Sequence, residues 1–142
     1  MKRVLVVDDD EAVRRLVAHV LQHSGYEVVL AEDGRQAMRL LDASFDILLC
    51  DKNLPFMPGT QVVLEARAQY PKLTTVLMTA APEALALTTL GLDGYLAKPF
   101  RSNALLVHTL QAALDRRAQK EKRQELETQL QTAVAQLSRR DR

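Results

Sequence analysis

Three stretches of this chain end in side chains that could do chemistry together: Val4–Asp10 (VLVVDDD), Leu48–Asp51 (LLCD) and Tyr95–Pro99 (YLAKP). Each is an apolar run, the signature of a buried strand, that stops at charged residues. If the three lie side by side in one parallel sheet, their C-terminal ends meet. Two or three carboxylates and the Lys98 ammonium would then share one crevice, which is where open α/β sheets hold their ligands. Crowded carboxylates repel unless a cation sits among them, so the pattern predicts a divalent metal ion beside a reactive acid. Acidic residues also cap helices. Capping accounts for one of Asp8, Asp9 and Asp10, but not for a buried strand that ends in adjacent acids.

Bringing these ends together requires strands that alternate with helices, and about 115 residues show that alternation. Strands are predicted at Arg3–Val7, Glu27–Leu30, Asp46–Cys50, Thr75–Met78 and Gly94–Ala97. A first helix carries Val13, Leu16, Val17, Val20 and Leu21 on one apolar stripe and stops at Ser24-Gly25. A second starts at Asp33, with Gln36 as its capping-box partner, and buries Ala37, Leu40 and Leu41. A third runs from Gly59 to Tyr70 before Pro71. A fourth follows Pro82 and stops at Gly91. Strict alternation predicts an α/β fold: a doubly wound five-stranded parallel sheet with right-handed crossovers, flavodoxin-like (βα)5 in form.

The last helix is expected to be extended. From Phe100 to Arg142 the chain has neither Gly nor Pro. Leu106, Leu110, Ala113 and Leu114 form a core-facing stripe, and Asp115–Glu125 then has Ala118 as its only apolar residue. Leu126, Leu130, Ala133 and Leu137 follow at spacings of four, three and four, a short coiled-coil pattern. Residues 1–118 are read as the folded domain. Residues 119–142 are read as a charged helical extension, either a dimer seam or a solvated tail.

A chain of 142 residues with 47% apolar and 26% charged side chains is an ordinary soluble globular protein of one domain. It has no apolar run long enough to cross a bilayer, so membrane insertion is not expected. The single cysteine, Cys50, cannot form an internal disulfide and suits a reducing compartment, so a cytoplasmic location is expected. Residues 115–142 carry eight Lys/Arg and five Asp/Glu, and the rest carry 11 and 13. These net charges of +3 and −2 are too small to indicate direct nucleic acid binding.

With Asp8-Asp9, Asp51, Thr79 and Lys98-Pro99 in this order, and Pro55 and Gly59 after the central aspartate, the chain resembles the receiver domain of bacterial two-component response regulators over residues 2–118. The resemblance implies that Asp51 accepts a phosphoryl group and that Mg²⁺ is held by Asp9, Asp51 and the backbone carbonyl of Asn53, with Asp8 acting through water. It implies that Lys98 and Thr79 contact the phosphoryl oxygens, and that Lys98-Pro99 is a cis peptide. Thr79 and Tyr95 become the switch, remodelling the surface made by the fourth helical segment, the fifth strand and the last helix. The expected protein is a single-domain signalling switch rather than an enzyme, although it assists its own phosphorylation and dephosphorylation. Its expected partners are a sensor histidine kinase or phosphotransfer protein, a downstream protein, and a second copy through the C-terminal helix.

Departures from the family pattern are Gly94, which argues against a charge-linked dimer on that face, Lys52, Pro58 and Ala81, which cannot position an attacking water. Cys50 is read as packing. His19, His23 and His108 are read as scattered helical positions without ligand spacing. The alternative function is a small haloacid dehalogenase-type phosphohydrolase using Asp8 in the pattern Asp8-Asp9-Asp10. Ala12 stands where that family needs Thr or Val, and its later acidic pair is missing. A receiver that signals without phosphate is a third reading, opposed by the intact acid, Thr and Lys set.

Overall fold

The computed structural model describes residues 1–80 and 91–140, apart from the side chain of residue 140. Five strands, β1 (Arg3–Val7), β2 (Glu27–Ala31), β3 (Ile47–Asp51), β4 (Thr74–Thr79) and β5 (Gly94–Ala97), form one sheet. The helices are α1 (Glu11–His23), α2 (Gly34–Leu40), α3 (Gly59–Gln69) and α4 (Asn103–Arg140). The fourth helical segment expected after Pro82 lies outside the described residues. All neighbouring strands are parallel, in the order β2-β1-β3-β4-β5. The doubly wound architecture expected from the alternation is therefore present.

Two apolar layers cover the sheet. Val4, Val6, Ile47, Leu49, Val76, Met78 and Leu96 pack under Val17, Val20 and Leu21 of α1 and Leu106 and Leu110 of α4. Leu5, Val7, Leu48, Cys50 and Leu77 pack on the opposite face with Ala37, Val62, Val63 and Ala66. Strands covered on both faces must be apolar along their length, and the cores of β1 and β3 are.

Two expectations about buried leucines fail. Leu16 is 46% exposed and Leu40 38% exposed, whereas Leu41, the residue that ends α2, is buried. α2 is only two turns long, and its final turn rotates Leu40 off the sheet. Asp33 caps α2 by accepting from the Gln36 N–H at 2.8 Å. The Gln36 side chain does not complete the reciprocal capping box, because it accepts from the Glu32 N–H instead, at 2.7 Å. Of the three N-terminal acids, Asp10 is the cap: its Oδ1 accepts from the N–H groups of Ala12 and Val13.

α4 stays on the body of the protein beyond the apolar stripe. Arg117 is buried and donates to the Pro71 carbonyl. Lys120 lies 3.3 Å from the fully buried carboxylate of Asp93, whose other oxygen accepts from the Thr75 N–H at 2.9 Å. Residues 122–139 are exposed throughout. They extend about 27 Å at about 1.5 Å per residue.

Candidate functional site

The pleat of the sheet decides which side chains meet. Val4, Val6, Ile47, Leu49 and Leu96 face the α1–α4 layer. Continuing the alternation carries Asp8, Asp51 and Lys98 to that same side of the sheet's C-terminal edge. Lys98 Nζ lies 2.7 Å from Asp8 Oδ2 and 3.2 Å from Asp51 Oδ2, bridging two carboxylates that β1 and β3 bring side by side. Asp8 is fully buried, Asp51 nearly so, and Asp9 is exposed. One carboxylate oxygen from each of Asp8, Asp9 and Asp51 lies within 4.8 Å of the others. An all-oxygen set of this kind could hold a hard divalent cation.

Backbone groups fix these carboxylates. Asp8 Oδ1 accepts from the Asp10 N–H at 2.9 Å, and Arg14 Nη1 donates to the Asp8 carbonyl at 2.7 Å. Asp51 Oδ1 accepts from the Asn53 N–H at 3.2 Å, which places Asn53 beside the acids. Thr79 is buried at the end of β4, and its carbonyl accepts from the Lys98 N–H at 2.8 Å. The Lys98–Pro99 peptide bond is cis. Tyr95 lies one strand further out on β5 and is 41% exposed.

Gly59 is indispensable to this packing. A Cβ there would lie 2.0 Å from the Asp51 carbonyl oxygen and 2.8 Å from Lys52 Cα. The first turn of α3 therefore rests directly on the strand end that carries Asp51.

Burial raises the Asp51 carboxyl above the ordinary carboxylate range. The Asp8 charge adds to the rise, and the Asn53 N–H and Lys98 oppose it. A raised folded value means the native state takes up a proton before the unfolded chain does. Ionised Asp51 thus weakens the fold, and the cost is relieved as pH falls through the raised value. Burial works against the Lys98 ammonium, but its hydrogen bond to Asp8 and the charge of Asp51 outweigh that, and it is held above the usual lysine value. The site thus stores excess negative charge that one lysine only partly offsets. Cys50 is fully buried, and burial pushes its thiol far up, leaving it a packing residue.

Arg14, which donates to the Asp8 carbonyl, carries no motif that marks it in the sequence. Away from the acids, Phe56 is 74% exposed and the Arg35 guanidinium carbon lies 4.9 Å from its ring centroid. Phe56 has a φ of 70°, which no periodic pattern signals. The left-handed region costs a residue other than glycine about 1–2 kcal/mol.

The family model of the response regulator receiver domain matches residues 4–110. The chain belongs to that family. The receiver is 37% identical over 109 residues to the transcriptional regulatory protein CpxR of Escherichia coli, covering 75% of this chain and 47% of CpxR. It is 36% identical over 104 residues to the alkaline phosphatase synthesis transcriptional regulatory protein PhoP of Bacillus subtilis, covering 70% of this chain and 43% of PhoP. The chain thus spans about half the length of these curated relatives. Among solved structures, the chemotaxis protein CheY4 of Vibrio cholerae superposes with a TM-score of 0.73 at 38% identity, covering 80% of this chain and 98% of CheY4. Receiver domains are signalling domains. The haloacid dehalogenase alternative finds no support, and Asp8 is fully buried with its carboxylate tied to Lys98 and the Asp10 N–H.

Proposed function

We propose that this receiver is a phosphorylation switch in which Asp51 takes a phosphoryl group from the phosphohistidine of a sensor kinase or phosphotransfer protein. The observation that carries the reading is Lys98 bridging Asp8 and Asp51 beside a third carboxylate. An oxygen of Asp51 forms the new O–P bond as the donor's N–P bond breaks, and the imidazole leaves. Lys98 pairs with a phosphoryl oxygen, and the Thr79 hydroxyl donates to another. Asp8, Asp9, Asp51 and the Asn53 carbonyl would hold Mg²⁺, and their all-oxygen chemistry fits it. When bound, Mg²⁺ offsets the charge that keeps an anionic donor away. The Thr79 movement lets the Tyr95 ring turn inward, altering the surface around β5 that a downstream protein reads. We place this exchange in the cytoplasm; among the described residues no helix is long and apolar enough to cross a membrane.

This reading is tested by adding Mg²⁺ and acetyl phosphate or beryllium fluoride. Wild type is expected to be modified and Asp51→Asn is not. Equal modification of both would refute the assignment of Asp51.

The exposed end of α4 is the second part of the proposal: it pairs with the same segment of another copy. Leu126, Leu130 and Leu137 are 56%, 65% and 60% exposed on one stripe. With Leu126 and Leu130 at the seam, Lys122 and Glu127 flank it five residues apart, where opposite charges meet across a parallel two-stranded coil. Because Lys120 is anchored on Asp93, truncation after Lys122 removes the seam and spares the body. Light scattering is expected to give a dimer mass for the full chain and a monomer mass for the truncated one. A full chain that is monomeric at high concentration would rule the seam out.

A further inference from the structure

The turn between β1 and α1 is only Asp8, Asp9 and Asp10, and two of these residues are held by bonds of their own. Asp10 caps α1, while Asp8 is tied to Lys98 and to the Asp10 N–H. Asp9 is different. Among the described residues, neither its amide nor its exposed carboxylate has a hydrogen-bond partner. Yet Asp9 supplies one of the three carboxylate oxygens that lie within 4.8 Å of one another.

The constraint on Asp9 comes from the residue before it. Arg14 is half-buried near the start of α1, and its Nη1 reaches back to donate to the Asp8 carbonyl at 2.7 Å. Among the described residues no other donor bonds to that carbonyl. The Asp8 carbonyl and the Asp9 amide belong to one planar peptide unit, so holding the first also holds the second and the Cα beyond it. A hydrogen bond from a charged donor is roughly twice as strong as a neutral one. Arg14 makes no ion pair with the three neighbouring acids among the described residues, which leaves their oxygens open to a cation.

We propose that Arg14 is a positioning residue: by gripping the Asp8–Asp9 peptide it presents the Asp9 carboxylate to the divalent cation of the acid cluster. The inference rests on the Mg²⁺ set proposed above and names the residue outside it that organises it. Groups that orient metal ligands typically change metal affinity about 10- to 100-fold when lost. The charge of the arginine acts the other way. A guanidinium near a cation site repels the ion, so its removal would by itself tighten binding. Positioning and charge therefore give opposite signs for one substitution. The grip acts on Asp9 rather than on Asp51 or Lys98, so saturating Mg²⁺ compensates for its loss.

The test is to titrate Mg²⁺ into the full chain with no phosphodonor present and read the dissociation constant from backbone amide chemical shifts. Arg14→Met is expected to weaken binding by about 10-fold. Arg14→Lys keeps the charge and a donor, and is expected to fall between Arg14→Met and wild type. Arg15→Met removes the neighbouring exposed charge, which pairs with Glu11, and is expected to bind Mg²⁺ no more weakly than wild type. Modification by acetyl phosphate should need about 10-fold more Mg²⁺ in Arg14→Met but reach the wild-type rate at saturation. Melting temperatures without Mg²⁺ verify the fold, and Arg14→Lys carries the test if Arg14→Met does not fold. Binding by Arg14→Met as tight as wild type, or tighter, would overturn the proposal. So would an equal weakening in Arg15→Met. Either failure leaves Mg²⁺-dependent label on Asp51 untouched, whereas failure of the phosphoacceptor reading appears as label on another residue. A wild type that does not bind Mg²⁺ would overturn both.

Discussion

Alanine in place of Gly59 is expected to cost the protein both stability and its site. The new methyl would lie 2.0 Å from the Asp51 carbonyl oxygen, with Asp51 C and Lys52 Cα both at 2.8 Å. All three are backbone atoms, so no rotamer change relieves the clash. Either α3 backs away from the sheet or the end of β3 shifts. Overpacking of this kind costs about 3 kcal/mol, which in a domain of this size lowers Tm by about 10 °C. A displacement of β3 also moves the Asp51 carboxylate, and a misplacement of about 1 Å can slow a positioned reaction about 100-fold. Gly25→Ala is the control. Gly25 has a φ of 90°, but a methyl added there would meet nothing within 4 Å. It should lose about 1 kcal/mol through backbone strain alone and keep its rate of modification. Thermal melts and acetyl phosphate kinetics separate the two. Equal losses in both variants would show that the contact with Asp51 has no special importance.

Replacing Lys98 with Met leaves two buried carboxylates without their shared cation. Asp8 is fully buried, and burial already pushes Asp51 upward with the lysine in place. Removing one partner of a buried pair costs about 3–5 kcal/mol, and because Lys98 is partly exposed the lower end, about 3 kcal/mol, is expected. Phosphoryl modification should slow by about 100-fold or more, since a positive group aimed at the transferring oxygens is lost. Divalent cation should restore much of the stability without restoring the rate, because it offsets the carboxylate charge but does not replace the lysine at the phosphoryl oxygen. Urea unfolding with and without Mg²⁺ measures the first effect. A Lys98→Met protein as stable as wild type without Mg²⁺ would contradict the electrostatic account of the crevice.

Much of the fold was legible in the sequence because parallel strands covered on both faces must be continuously apolar. VLVV, ILLC and TVLM could be little else, and the acids that follow two of the runs mark one edge of one sheet. The juxtaposition of Asp8, Asp51 and Lys98 follows from pleat, which period-2 alternation along each strand predicts, and from strand order, which it does not. β4 lies between β3 and β5, where the sequence suggested three strands side by side. Less could be read where geometry depends on a turn or on a distant neighbour. Leu16 and Leu40 fit an apolar period but fall off the face that meets the sheet. Residues 119–142 read as an extension, yet Lys120 reaches back to Asp93, a contact between elements far apart in the chain. The positive φ of Phe56 leaves no trace in local periodicity.

The central claim is that Asp51, served by Lys98 and the neighbouring acids, is the reactive group. The direct measurement is to incubate the protein with Mg²⁺ and radiolabelled acetyl phosphate, map the label to a peptide, and identify the residue by borohydride reduction of the acyl phosphate. The expected result is label at residue 51 alone, absent when Mg²⁺ is chelated and absent in Asp51→Asn. Label on Asp8, or undiminished label in Asp51→Asn, would contradict the account.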